Sequence, residues 1–233
     1  MGATIMKLFL MYLIFLTTNI FSQTNFEKAE KLFLQEKYVL AKPIFESTLK
    51  EAPNNTKIIE YLGDIAITLK DWDKAINYYQ TLKKLKPKEA NYYYKYGGIL
   101  GLKSKEGGKW VAIQLIGDMR FSFEKALLLD PKHLEARWAL IEYYLQVPGI
   151  LGGSEKKAQN YATELMILSP VDGYLAKGYI DEYFKRFSKA ELNYKKAHDI
   201  GNSKATFEKL YNLYLNKMQD KTKANKLKAA FNK

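Results

Sequence analysis

The chain has 233 residues, with 37 Lys and Arg against 25 Asp and Glu, a formal net charge of +12. It has no cysteine, so disulfides and thiolate metal sites are impossible. Its only histidines, His133 and His198, are isolated from each other and make no metal site by spacing.

Residues 5 to 16 read IMKLFLMYLIFL, with Lys7 near the start and a small residue, Ser22, before Gln23. A basic start, a short apolar core and a small residue at the cut predict a secretory signal peptide over 1–22. The expected location is therefore the periplasm or the exterior. An uncleaved anchor is the alternative, but the run is short for a span of about 20 residues, and Thr17, Thr18 and Asn19 interrupt it. No cysteine follows the apolar core, which excludes a bacterial lipid anchor at that point.

From there to the C-terminus the chain repeats. Pro53 and Pro87 are 34 residues apart, as are Ala41 and Ala75, and Ala190 and Ala224. A fixed period of this size is the mark of a repeat array. The first unit, about 23–54, carries Ala29, Leu32, Ala41, Phe45 and Pro53. The second, about 56–88, is the clearest. Leu62, Gly63 and Ala66 share a face of its first helix. Ala75, Tyr79 and Leu82 recur at amphipathic spacing on its second. The small Gly63 and Ala75 let the two backbones approach, Asp71 caps the second helix, and Pro87 ends it.

The third unit, about 90–131, opens on Tyr93, Tyr96, Gly97 and Leu100, and closes on Phe123, Ala126 and Pro131. It is ten residues over the period, and the surplus is placed between its two helices at Lys103 to Lys109. The fourth, about 133–170, has Leu140, Tyr144, Ala158, Leu165 and Pro170. Its surplus is the stretch Val147 to Ser154, where Pro148 ends a helix and Ser154 caps the next. This is a widened turn or the lip of a groove. A fifth unit, about 171–202, carries Gly178, Ala190, Tyr194 and Ala197; a sixth, about 204–233, carries Leu215 and Ala224 and is Lys-rich, as suits a terminal helix with a wet outer face.

Ile59, Leu62, Gly63, Ala66, Ala75, Tyr79, Leu82 and Pro87 together resemble the tetratricopeptide repeat family, and the resemblance extends from about residue 25 to the C-terminus. It implies an all-α, right-handed αα superhelix of five to six helix-turn-helix units, in one solenoid domain over 23–233. It also implies that the first helices line a concave groove for an extended peptide or a helix. Members that clamp a C-terminal carboxylate use Lys and Asn one turn apart on a first helix. The matching places here hold Phe26 and Glu30, Glu60 and Asp64, Tyr94 and Gly98, and Trp138 and Glu142, so that recognition is not carried over. What those places offer instead is an acidic and aromatic wall, Glu60, Asp64, Tyr94, Trp138 and Glu142, expected to face a protein or peptide partner.

Chemistry is absent from the pattern. No serine sits in a nucleophile elbow and no glycine-rich loop precedes a Lys-Ser/Thr pair. Glu60 and Asp64 share a face, but an open groove does not desolvate an acid enough to raise its pKa for glycoside hydrolysis. No catalytic, cofactor or metal residue is expected. The lysines, densest at Lys83, Lys84, Lys86 and Lys88 and from Lys217 to Lys233, form a solvated outer face or touch anionic lipid or glycan. Export and the lack of a recognition motif speak against nucleic acid. The expectation is a non-catalytic scaffold of the bacterial cell envelope; the alternative is an envelope-associated structural protein docking by its Lys-rich face.

Overall fold

A computed structural model describes residues 24–231, and the signal-peptide expectation for 1–22 lies outside them. Every regular element among the described residues is helical. The helices are α1 (24–34), α2 (Tyr38–Glu51), α3 (Thr56–Thr68), α4 (Trp72–Leu85), α5 (Ala90–Leu129), α6 (Leu134–Gln146), α7 (Glu155–Leu168), α8 (Pro170–Tyr183), α9 (Phe187–Gly201), α10 (Lys204–Asn212) and α11 (Lys221–Phe231). The chain forms two compact units, the first running to Leu115 and the second starting at Ile116.

In the first unit α2 packs on α3 and α3 on α4. Ala29, Ala41, Phe45, Ile58, Leu62 and Ile65 form its core. The hairpin α3–α4 closes as the small residues require. A Cβ on Gly63 would stand 2.7 Å from the Cε2 of Tyr79, whose side chain is fully buried. Asn55 caps α3 through its side chain, and Asp71 caps α4 by accepting from the amide of Lys74. In the second unit α6 packs on α7, α7 on α8, α8 on α9 and α9 on α10. Ala190, Tyr194, Leu210, Leu213, Tyr214 and Ala224 form a core at its C-terminal end. Gly178 lies against Tyr194 as Gly63 lies against Tyr79, and each pair is 16 residues apart.

The turns repeat as well as the helices. Glu36, Lys70, Lys185 and Gln219 all have positive φ, from 56° to 59°. After the first three, the next amide donates to a carbonyl five residues back: Lys37 to Leu32, Asp71 to Ala66 and Arg186 to Asp181. The last turn is wider by one residue, and there Asp220 donates to Tyr214. This is the Schellman type of closure at a helix C-terminus. It recurs 34 residues apart in each pair of turns, on residues other than the glycine that the geometry favours.

The third unit's surplus does fall between two helices, as its placement at Lys103 to Lys109 expects, but it forms no loop: all of it except Gly108 is helical. The only non-helical residue inside α5 is Gly108, at φ 77° and ψ −174°, so the ten extra residues lengthen helices and the turn shrinks to one glycine. Ser104 ties back to the carbonyl of Leu100 at 2.7 Å within the continuing helix. His133 is half-buried at the start of α6. Its side chain is 9 % exposed, and its Nδ1 accepts from the amide of Ala136 to cap α6.

The stretch Val147 to Ser154 is a turn, as its glycines indicate. Gly149–Leu151 make one 3-10 turn and Gly152 is left-handed at φ 102°. Gly153 has no room for a side chain, since a Cβ would fall on the Val147 carbonyl. Ser154 caps α7 by accepting from the amide of Lys157.

Candidate functional site

The five wall residues divide between the units: Glu60, Asp64 and Tyr94 lie in the first, Trp138 and Glu142 in the second. In the first unit the two carboxylates are half-buried and already engaged. Lys95, on α5, donates to both oxygens of Asp64, at 3.0 and 2.9 Å, and reaches Glu60 at 3.4 Å. Tyr92 donates to Glu60 at 3.2 Å, and the Tyr79 hydroxyl donates to Asp64. Burial, then the Glu60 charge, pushes the Tyr92 phenol up to about 12.

The same device occurs one hairpin earlier. Glu30 of α1 accepts from Tyr61 at 2.6 Å and pairs with Lys57 at 2.8 Å. Lys57 and Tyr61 hold the Glu30 carboxyl below its ordinary value, while burial and Glu30 push Tyr61 up to about 12. A carboxylate on one first helix thus takes a tyrosine and a lysine from the next first helix. These acids fasten successive hairpins. Each carboxylate already accepts hydrogen bonds within the unit. Tyr94 is half-buried on the α5 segment that carries Tyr92 and Lys95.

In the second unit the arrangement is more open. Trp138 on α6 is half-buried. Its indole N–H donates to Asp172 of α8 at 2.9 Å, and the Ser169 hydroxyl donates to the other Asp172 oxygen at 2.6 Å. The Trp138 ring lies 6.5 Å from that of Tyr179. Glu142, one turn beyond Trp138, is exposed and acts on Tyr179: burial first, then the Glu142 charge, raises that phenol. Trp138 and Glu142, four residues apart, share a face of α6, and the Tyr179 ring of α8 lies beside the Trp138 ring.

That face continues into a cavity of about 350 Å³ lined by Tyr179, Glu182, Tyr183, Lys185, Phe187 and Lys217. Glu182 accepts from the buried Tyr194 at 2.8 Å and lies 3.9 Å from Lys217. Lys209 stands 5.6 Å over the Tyr179 ring. Sequence reading overlooked this cavity. Its signal was present in part, since Tyr179 and Tyr183 are four residues apart and so share a helix face. Among the described residues no cluster of three or more His, Asp or Glu is placed to hold a metal, and no helix is long and apolar enough to cross a membrane.

The arrangement matches known proteins in fold. The tetratricopeptide repeat family pattern matches residues 32–96. No curated protein sequence matches the chain. Among solved structures, TTC0263, a thermophilic TPR protein in Thermus thermophilus, superposes with a TM-score of 0.63 at 17 % identity, covering 83 % of this chain and 99 % of that one. PilW, a widely conserved type IV pilus biogenesis factor, gives 0.65 at 17 % identity, covering 90 % and 91 %. YrrB, a TPR protein with an unusual peptide-binding site, gives 0.55 at 15 % identity, covering 78 % and 87 %. At these identities the likeness is one of fold: all-α, helical-hairpin solenoid.

Proposed function

We propose that this chain, which belongs to the tetratricopeptide repeat family, is a non-catalytic scaffold of the bacterial envelope that holds a segment of a partner protein against α6 and α8. The observation that carries the reading is the Trp138–Tyr179 ring pair, with Glu142 one turn beyond Trp138 on the same face of α6. Two aromatic side chains, each with two rotatable bonds, lose little entropy on binding and serve as anchors. The Asp172 hydrogen bond fixes the Trp138 ring in place, so a partner meets a preorganised surface. Glu60 and Asp64 take a supporting part in this reading, holding α3 to α5 through Tyr92 and Lys95, and Tyr94 lies on the same α5 segment.

Protein binding agrees with the peptide-binding site of YrrB, and an envelope role with the part of PilW in type IV pilus biogenesis. The apolar start of the sequence supplies the route of export. The test replaces Trp138 with a photo-crosslinking aromatic residue, and in a parallel variant Leu192, an exposed residue of α9. Crosslinking to a discrete partner from position 138 but not from 192 is the expected result. Equal labelling from both positions refutes the assignment of the face.

A second reading rests on the C-terminal helix. Lys221, Lys226 and Lys228 are all exposed on α11, and such a surface suits anionic lipid or glycan. Release from membranes by moderate salt while partner crosslinking persists would favour it, because salt screens surface charge.

A further inference from the structure

We propose that the cavity beside Tyr179 receives an aromatic side chain from a partner segment that is acidic on both sides of that residue. The inference rests on the peptide-holding reading above and gives its ligand a chemistry. Three of the cavity's six lining residues are aromatic, Tyr179, Tyr183 and Phe187. A volume of about 350 Å³ is at the low end of the roughly 300–1,000 Å³ that ligand pockets occupy, which suits one large side chain. Aromatic walls offer such a side chain stacked and edge-to-face contacts worth about 0.5–1.5 kcal/mol beyond area alone.

Charge decides what flanks it. The one carboxylate in the lining, Glu182, is committed: the Tyr194 hydroxyl occupies one oxygen and Lys217 faces the other. The Lys217 pair is stretched to 3.9 Å, beyond hydrogen-bond distance, so Lys217 can turn to another acid. Lys185 is exposed and has no acidic side chain within salt-bridge distance among the described residues. Lys209 adds a third cation above the Tyr179 ring. Glu142 is the opposing charge, and it lies on the α6 side of Tyr179, outside the lining. An incoming acid therefore meets Lys185, the loosely held Lys217 and Lys209, whereas an incoming base meets these three cations and one carboxylate that already accepts from Tyr194.

Two backbone features place these lysines. Lys185 occupies the left-handed turn position between α8 and α9, at φ 57°. Lys217 ends a π-helical turn, Leu213–Lys217, in which the amide of Met218 reaches back to the carbonyl of Leu213 at 2.9 Å. A π-turn carries one extra residue and so rotates the downstream chain by about 100° relative to an unbroken α-helix. Without it, Lys217 would face elsewhere on the helix.

The test uses three labelled, end-capped nonapeptides: tryptophan flanked by aspartates, tryptophan flanked by lysines, and leucine flanked by aspartates. Binding to the purified chain is read by fluorescence anisotropy at low salt. The aspartate–tryptophan peptide is expected to bind at least about tenfold tighter than either of the others. In Lys185→Glu/Lys217→Glu the order of the two tryptophan peptides reverses, and in Lys185→Ser/Lys217→Ser the two converge; circular dichroism melting confirms that these surface variants fold. Tighter binding of the lysine peptide, no binding of any of the three, or an order unchanged by charge reversal overturns the proposal. The crosslinking test at position 138 is independent, so a discrete crosslinked partner there with a failed peptide series sinks the cavity assignment alone.

Discussion

The close approach of Gly63 to Tyr79 gives a sharp test of the repeat's packing. Gly63→Ala adds one methyl group 2.7 Å from Cε2 and 3.1 Å from Cδ2 of the Tyr79 ring. That ring is fully buried, and its hydroxyl is tied to Asp64, which Lys95 holds in turn. The ring cannot swing away without breaking this chain of contacts, so the hairpin must open or the ring must leave its rotamer. Forced extra methylenes in a packed core cost about 1–3 kcal/mol. Alanine in place of a helical glycine returns about 1 kcal/mol of helix propensity. Gly63→Ala is therefore neutral to destabilising by about 2 kcal/mol. Gly98 is the control, because it is helical, lies in the same unit, and a Cβ there meets nothing within 4 Å. Gly98→Ala is expected to stabilise by up to about 1 kcal/mol. The difference between the two cancels the propensity contribution and isolates the packing cost of about 1–3 kcal/mol. Urea unfolding followed by far-ultraviolet circular dichroism measures it. If the two variants agree within about 0.5 kcal/mol, the usual spread of surface substitutions, the packing argument for the Gly–Tyr pair fails.

Two other sites give outcomes of their own. Gly153→Ala puts a Cβ onto the Val147 carbonyl, whereas Gly149→Ala meets nothing within 4 Å; only the first should lower the melting temperature and loosen the 147–154 turn, read as faster proteolysis there. Burial alone would raise the Glu191 carboxyl, but hydrogen bonds from Lys195, Lys223 and Tyr214 outweigh it and hold it below its ordinary 4.5. A depressed carboxyl contributes stability that is present above its unfolded value and is lost as pH falls through the folded one. Glu191→Gln should therefore cost about 1.5–3 kcal/mol near neutrality, the range for hydrogen bonds to charged groups, and the gap to the parent should shrink below pH 4.5; a gap that is flat across that range refutes the assignment.

The fold was legible because its packing uses positions with few substitutes. Gly63 and Gly178 are small where a tyrosine ring crosses, and Ala41, Ala75, Ala158, Ala190 and Ala224 are buried to within about 1 % of complete, so the alanine phase in the sequence marks helices that touch. The turns were harder to read. Their left-handed residues are Glu36, Lys70, Lys185 and Gln219, none of which announces positive φ as glycine does. The hydrogen bonds that close each turn offset the conformational cost, about 1–3 kcal/mol for a residue in a sparsely populated region, and a residue-type signal cannot show them. The surplus at 103–109 was placed between two helices and the break is there, but its length was not legible: one glycine, Gly108, is enough to break the helix, and the lysines and glutamate around it are good helix formers.

The wall residues show where sequence reading reaches its end. Glu60 and Asp64 were placed on one face correctly, as their spacing of four requires. What the spacing could not reveal is the partner. Lys95 lies 31 residues beyond Asp64, and Lys57 lies 27 beyond Glu30, so each pair forms only when one hairpin is laid on the next. A carboxylate that looks free within its own helix is satisfied across the repeat. Trp138 shows the same thing at 34 residues, in its bond to Asp172, and Trp72 again in its bond to Glu106 at 2.6 Å. An exposed-looking polar residue in a repeat array should therefore be checked one period ahead before it is assigned to a ligand. By that criterion Lys185 and the loosely held Lys217 remain available while Glu60 and Asp64 do not, which favours the cavity beside Tyr179 as the seat of binding in the second unit.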